Sequence, residues 1–75
     1  MSRILALLLF VNANVFGQAA AGNEKYDQKQ YVDAVNAFQK IPPAERDAGI
    51  LNRLGISYHL LKQFKAAENA YRAAV

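Results

Sequence analysis

Few residues in this 75-residue chain are equipped to do chemistry, and they do not assemble. His59 is the only histidine. A general base needs a nucleophile and an orienting partner within hydrogen-bond reach. Ser57 lies two residues away, a spacing that puts it on a different face of a helix. With no cysteine in the chain, disulfides, thiolate metal sites and lipid attachment at a lipobox are excluded. A lone histidine without a carboxylate pair is a poor metal site. Glu45 and Asp47 flank Arg46 at an expected helix start, where negative charge favours the helix dipole rather than acid–base work. Glu68 stands four residues before Arg72, a surface pair. Gly17, Gly22, Gly49 and Gly55 are too scattered to cradle a phosphate. The expectation is no catalytic residue, no cofactor and no metal, hence no enzyme.

Charge narrows the partners. Nine Lys or Arg against six Asp or Glu give a formal net charge of +3. The signs alternate along the chain, as on a solvated surface, and form no basic cluster for nucleic acid. Lysines are spread in sequence and the apolar positions are rich in alanine and tyrosine, so no helix reads as a strong membrane-surface element.

The N-terminus reads as a leader. Arg3 is followed by the uncharged block Ile4 to Val11, then small and polar residues up to Glu24. That order is the layout of a secretory signal. The block is far below the ~20 apolar residues a spanning helix needs. Residues 1–17 are therefore expected to be a signal peptide, cleaved before Gln18, or as late as residue 21 before Gly22. Export to a bacterial periplasm or extracellular space follows, with no stable membrane anchor once the leader is removed.

An internal repeat organises the remainder. Shifted by 33 residues, 29–38 (KQYVDAVNAF) falls on 62–71 (KQFKAAENAY), with five of ten positions identical and both aromatic pairs conserved in type. Gly22 falls on Gly55 and Tyr26 on His59. A period in the thirties signals a helical solenoid. The apolar positions Tyr31, Ala34, Val35, Phe38 and Ile41 form one helical stripe, stopped by Pro42-Pro43. Leu51, Leu54, Tyr58 and Leu61 form another, and Phe64, Ala67, Tyr71 and Ala74 a third. Helices are expected at 18–28, 30–41, 44–61 and 64–75. Gly55 inside the third calls for close helix approach, with Ala34 and Ala67 as the matching small surfaces and Tyr31, Phe38, Phe64 and Tyr71 filling the space beside them.

Leu54-Gly55-Ile56-Ser57-Tyr58, followed by Phe64, Ala67, Tyr71 and Ala74, resembles a tetratricopeptide repeat, with Leu51 where tryptophan is usual. Gly22, Tyr31, Ala34 and Phe38 place the first copy in the same register. That copy departs at Lys25, an aromatic position in the motif, and at Ile41, usually small. Lys29 and Lys62 replace a frequent turn glycine. The resemblance implies an all-α fold: two helix-turn-helix hairpins, 18–42 and 43–75, stacked as a short right-handed solenoid behind the signal helix. It further implies a scaffold that binds a protein or peptide in the groove lined by the first helix of each hairpin. Carried over, the groove residues are Asn23, Tyr26 and Asp27, then Asn52, Ile56, His59 and Leu60. Tyr26 and His59 take equivalent places and are expected as stacked neighbours. No groove lysine accompanies Asn23 and Asn52 to clamp a peptide carboxylate.

Two hairpins are fewer than the three units such arrays need for stability, and the chain stops at Val75 within a helix. The sequence thus reads as a truncated array, or as one that self-associates through its uncapped last helix, its hairpins completing a longer or oligomeric solenoid.

Overall fold

The computed structural model describes the backbone from Ser2 to Val75 and the side chains from Val15 onward. The apolar block assigned to the leader lies outside the described side chains. The fold is all-helical: α1 (Ser2–Asp27), α2 (Tyr31–Gln39), α3 (Ala48–Leu60) and α4 (Phe64–Ala74), with one 3-10 turn at Pro43–Glu45. Among the described residues there is no strand. Each of α1/α2 and α3/α4 packs as an antiparallel hairpin. Helix α3 also packs on α2 and touches α1.

Both hairpins turn the same corner. At the first, the Gln30 amide donates to the Lys25 carbonyl at 2.9 Å and the Lys29 amide to that of Tyr26 at 3.0 Å. At the second, Gln63 donates to Tyr58 at 2.8 Å and Lys62 to His59 at 2.9 Å. This is the paired closure of a helix end that ordinarily takes glycine in the left-handed region. Here lysine occupies it, at φ 61° for Lys29 and 63° for Lys62. The next residue starts the following helix with nearly the same backbone, φ −94° and ψ 77° at Gln30 against −96° and 73° at Gln63. The 33-residue period is therefore a period of backbone shape as well as of residue type.

The link between hairpins departs from the sequence expectation. Helix three was expected from residue 44 and begins at Ala48. Pro42 and Pro43 have no amide hydrogen to continue α2, so the chain makes a 3-10 turn with proline at its start. The carbonyls left open at the end of α2 are met by Arg46, whose guanidinium donates to Ile41 O at 3.0 Å and to Gln39 O at 3.1 Å. Asp47 then caps α3, its carboxylate accepting from the Ile50 amide at 2.9 Å. Residues 44–47 are thus spent reversing the chain.

The core lies around α2. Ala34, Val35, Phe38 and Ile41 meet Ile50 and Leu54 of α3 and Ala70 of α4, with Val15, Ala19, Tyr26, Leu51, Tyr58 and Leu61 packed around them. The Tyr58 hydroxyl and the Gln39 amide form a hydrogen bond across α2 and α3. Glycine and aromatic pair in both hairpins. A Cβ on Gly22 would overlap the Phe38 ring, and one on Gly55 the Tyr71 ring. Each ring lies directly on the backbone of the facing helix.

The two copies are buried unequally. Phe38 is 0% exposed and its counterpart Tyr71 is 38% exposed. Phe64, read from sequence as a packing residue, is 57% exposed. Helix α2 lies between α1 and α3, whereas α4 packs against α3 on one side. Gly22, Ala34, Leu54, Gly55 and Ala67 are buried, and Tyr31, Leu51, Tyr58 and Ala74 half-buried.

Candidate functional site

The residues singled out from sequence lie on the first helix of each hairpin. Asn23, Tyr26 and Asp27 follow an i, i+3, i+4 spacing that puts them on one face of α1. Asn52, Ile56 and His59 follow i, i+4, i+7 on α3, with Leu60 adjoining. Asn23 and Tyr26 are half-buried; Asp27, Asn52, Ile56, His59 and Leu60 are exposed.

What joins the two helices is Arg53, a residue outside that set. Its guanidinium donates to the Asn23 side-chain oxygen and lies over the Tyr26 ring, 5.3 Å from the centroid. Arginine suits this place, because a planar cation can stack on an aromatic face while its edge donates hydrogen bonds. The sequence reading looked for a lysine beside Asn23 and Asn52. The cation is an arginine thirty residues from its partner, a contact that only the packing of α1 on α3 creates.

Tyr26 and His59 do not stack on each other. Each meets the aromatic that opens the second helix of its own hairpin. Tyr26 meets Tyr31 edge-on with centroids 5.9 Å apart, and His59 meets Phe64 edge-on at 5.2 Å. Edge-to-face geometry is the favoured one at such separations. A short turn brings the last turn of one helix against the first turn of the next, and the same-hairpin aromatic is the nearer partner.

Two shallow clefts flank this arrangement. One, of about 290 Å³, lies between α1 and the start of α3, lined by Ala19, Asn23, Asp47, Gly49, Ile50 and Arg53. The other, of about 250 Å³, lies between α3 and α4, where Leu54, Tyr58, Ala70 and Ala73 line it together with the polar side chains of Arg46 and Asn69. The first combines a cation, a carboxylate already used as a helix cap, and an amide. These side chains offer hydrogen-bond donors and acceptors to a polar group. Among the described residues no three His, Asp or Glu side chains gather as a metal site, and no helix is long and apolar enough to cross a membrane. No protein-family model, no curated protein and no solved structure matches the chain.

Proposed function

We propose that this chain is a tetratricopeptide-like scaffold that works outside the cytoplasm and binds a protein or peptide across α1 and α3. The observation that carries this reading is the doubled hairpin itself. In both copies a left-handed lysine ends the first helix and an aromatic ring seats on a mid-helix glycine. Repeats of that kind present the first helix of each unit on one continuous surface. The α1–α3 face offers Ile56 and Leu60 as exposed apolar contacts beside the polar group of Asn23 and Arg53. Apolar anchors within a polar rim are what a protein partner needs, and the role is binding rather than catalysis.

Site-specific photo-crosslinking in the exporting cell tests it. A crosslinker at Ile56 or His59 should trap a discrete protein adduct, and one at Asn69, beside the other cleft, should not. Equal labelling from both faces, or none from the first, would sink the reading. Sequencing the N-terminus of the mature chain tests export, and a chain that still begins at Met1 or Ser2 argues against it.

The exposure of Tyr71 beside the burial of Phe38 favours a second reading. In it the α3–α4 hairpin completes a longer or oligomeric solenoid and has no binding partner of its own. Sedimentation at low micromolar concentration separates the two, because this reading requires oligomers.

A further inference from the structure

Helix α4 has a flank that no other described helix covers. Ala67 and Ala70 are buried, and the Tyr71 ring lies on Gly55 of α3. Phe64, Glu68, Tyr71 and Arg72 follow an i, i+4, i+7, i+8 spacing that puts them on one adjoining face. Phe64 is 57% and Tyr71 38% exposed, and the side chains of Glu68 and Arg72 are 45% and 75% exposed. The 33-residue period shows how the first hairpin uses the same flank. There Val35 and Phe38 stand where Glu68 and Tyr71 do, buried in one cluster with Ile50 and Leu54 of α3. Another helix built like α3 would set isoleucine and leucine against Glu68. Burying a charge without an opposite charge beside it is costly. The flank therefore calls for an occupant with a cation opposite Glu68 and an anion opposite Arg72.

From this charge order we infer that the flank pairs with a second copy of itself, the two α4 helices running antiparallel about a two-fold axis. Glu68 and Arg72 lie one helical turn apart and bond at 2.7 Å within the helix. In an antiparallel pair, Glu68 of each copy also meets Arg72 of the other, so every charge on the flank is answered. The Tyr71 rings lie next to the axis, and Phe64 of each copy lies against the last turn of the other's α4. A parallel pair would set Glu68 against Glu68 and Arg72 against Arg72. The antiparallel contact is isologous and closes at two copies. The inference rests on the second reading above, and it replaces an open stack with a closed pair.

The test is sedimentation of the whole chain over a concentration series from micromolar to millimolar. A monomer–dimer equilibrium that stops at two copies is expected, weak because one short helix per copy makes a small interface. Glu68→Lys and Arg72→Glu should each weaken it about tenfold or more, since two ion pairs across the axis become two like-charge contacts. Mixing those two variants should restore the dimer, because each supplies the charge that the other has lost. Recovery on mixing also separates charge pairing from misfolding, which mixing would not repair. Lys40→Glu makes the same change of charge off this flank and should dimerise as the parent does. Growth beyond two copies overturns the pairing and leaves the second reading standing, whereas a monomer throughout overturns both. Parental association of Glu68→Lys and Arg72→Glu, or no recovery when they are mixed, overturns the pairing as well.

Discussion

Gly22 and Gly55 each sit inside a helix, where glycine costs about 1 kcal/mol relative to alanine. Both are occupied because an aromatic ring lies where a Cβ would be. The two sites differ in what can yield. Phe38 is sealed in the core, whereas Tyr71 is 38% exposed and can swing outward. Gly22→Ala should destabilise by about 1–3 kcal/mol as overpacking outweighs the helix gain. Gly55→Ala should come close to neutral. Urea melts of the two variants check this, and an equal loss at both would show that Tyr71 is as fixed as Phe38. The turn lysines give the opposite case. Left-handed backbone costs a side-chain-bearing residue about 1–2 kcal/mol. Lys29→Gly and Lys62→Gly should therefore each raise stability by about 1 kcal/mol, read as a higher denaturation midpoint. A fall would mean that the lysine side chains contribute more than the strain removes.

Helices α2 and α4 are sequence equivalents in unlike surroundings. Helix α2 is packed on both sides, and Val35 in its stripe is buried. The counterpart of Val35 is Glu68, exposed and paired with Arg72 at 2.7 Å. Phe38→Ala should cost about 3–5 kcal/mol, enough to unfold the domain at ordinary temperature. Phe64→Ala should cost less than about 1 kcal/mol, because most of that ring remains in water. Near-equal thermal shifts would contradict the asymmetry. The link depends on different chemistry. Asp47→Ala removes the cap of α3 and should lower stability by about 1 kcal/mol, with Asn partly restoring it. If the alanine variant melts like the parent, the Asp47–Ile50 contact is not holding the helix start.

For the molecule as a whole, cooperativity rests on the α2–α3 junction. Leu54 is 2% exposed and belongs to the same cluster as Phe38 and Ile41 of the other hairpin. Leu54→Ala should cost about 2–5 kcal/mol. It should also lower amide-exchange protection in both hairpins together, since a small repeat array is stabilised through its interfaces. Loss of protection confined to α3 and α4 would mean that the hairpins are independent units.

Much of this architecture is legible in the sequence. Hydrophobic spacing, the 33-residue period and the paired prolines locate the end of α1, both ends of α2 and α4, the end of α3 and the two turns to within two residues, because each depends on neighbours in the chain; the first helix, expected from residue 18, instead runs unbroken from Ser2. The register of Gly22 with Gly55, and of Lys29 with Lys62, reappears as the same backbone at both corners. Other features could not be read that way. The start of α3 at Ala48 reflects Arg46 reaching back to the carbonyls of α2. The seating of Phe38 and Tyr71 on glycine, the contact of Arg53 with Asn23 and Tyr26, and the pairing of His59 with Phe64 all depend on which helices become neighbours. Periodicity determines which face of a helix is apolar; only packing decides what that face meets.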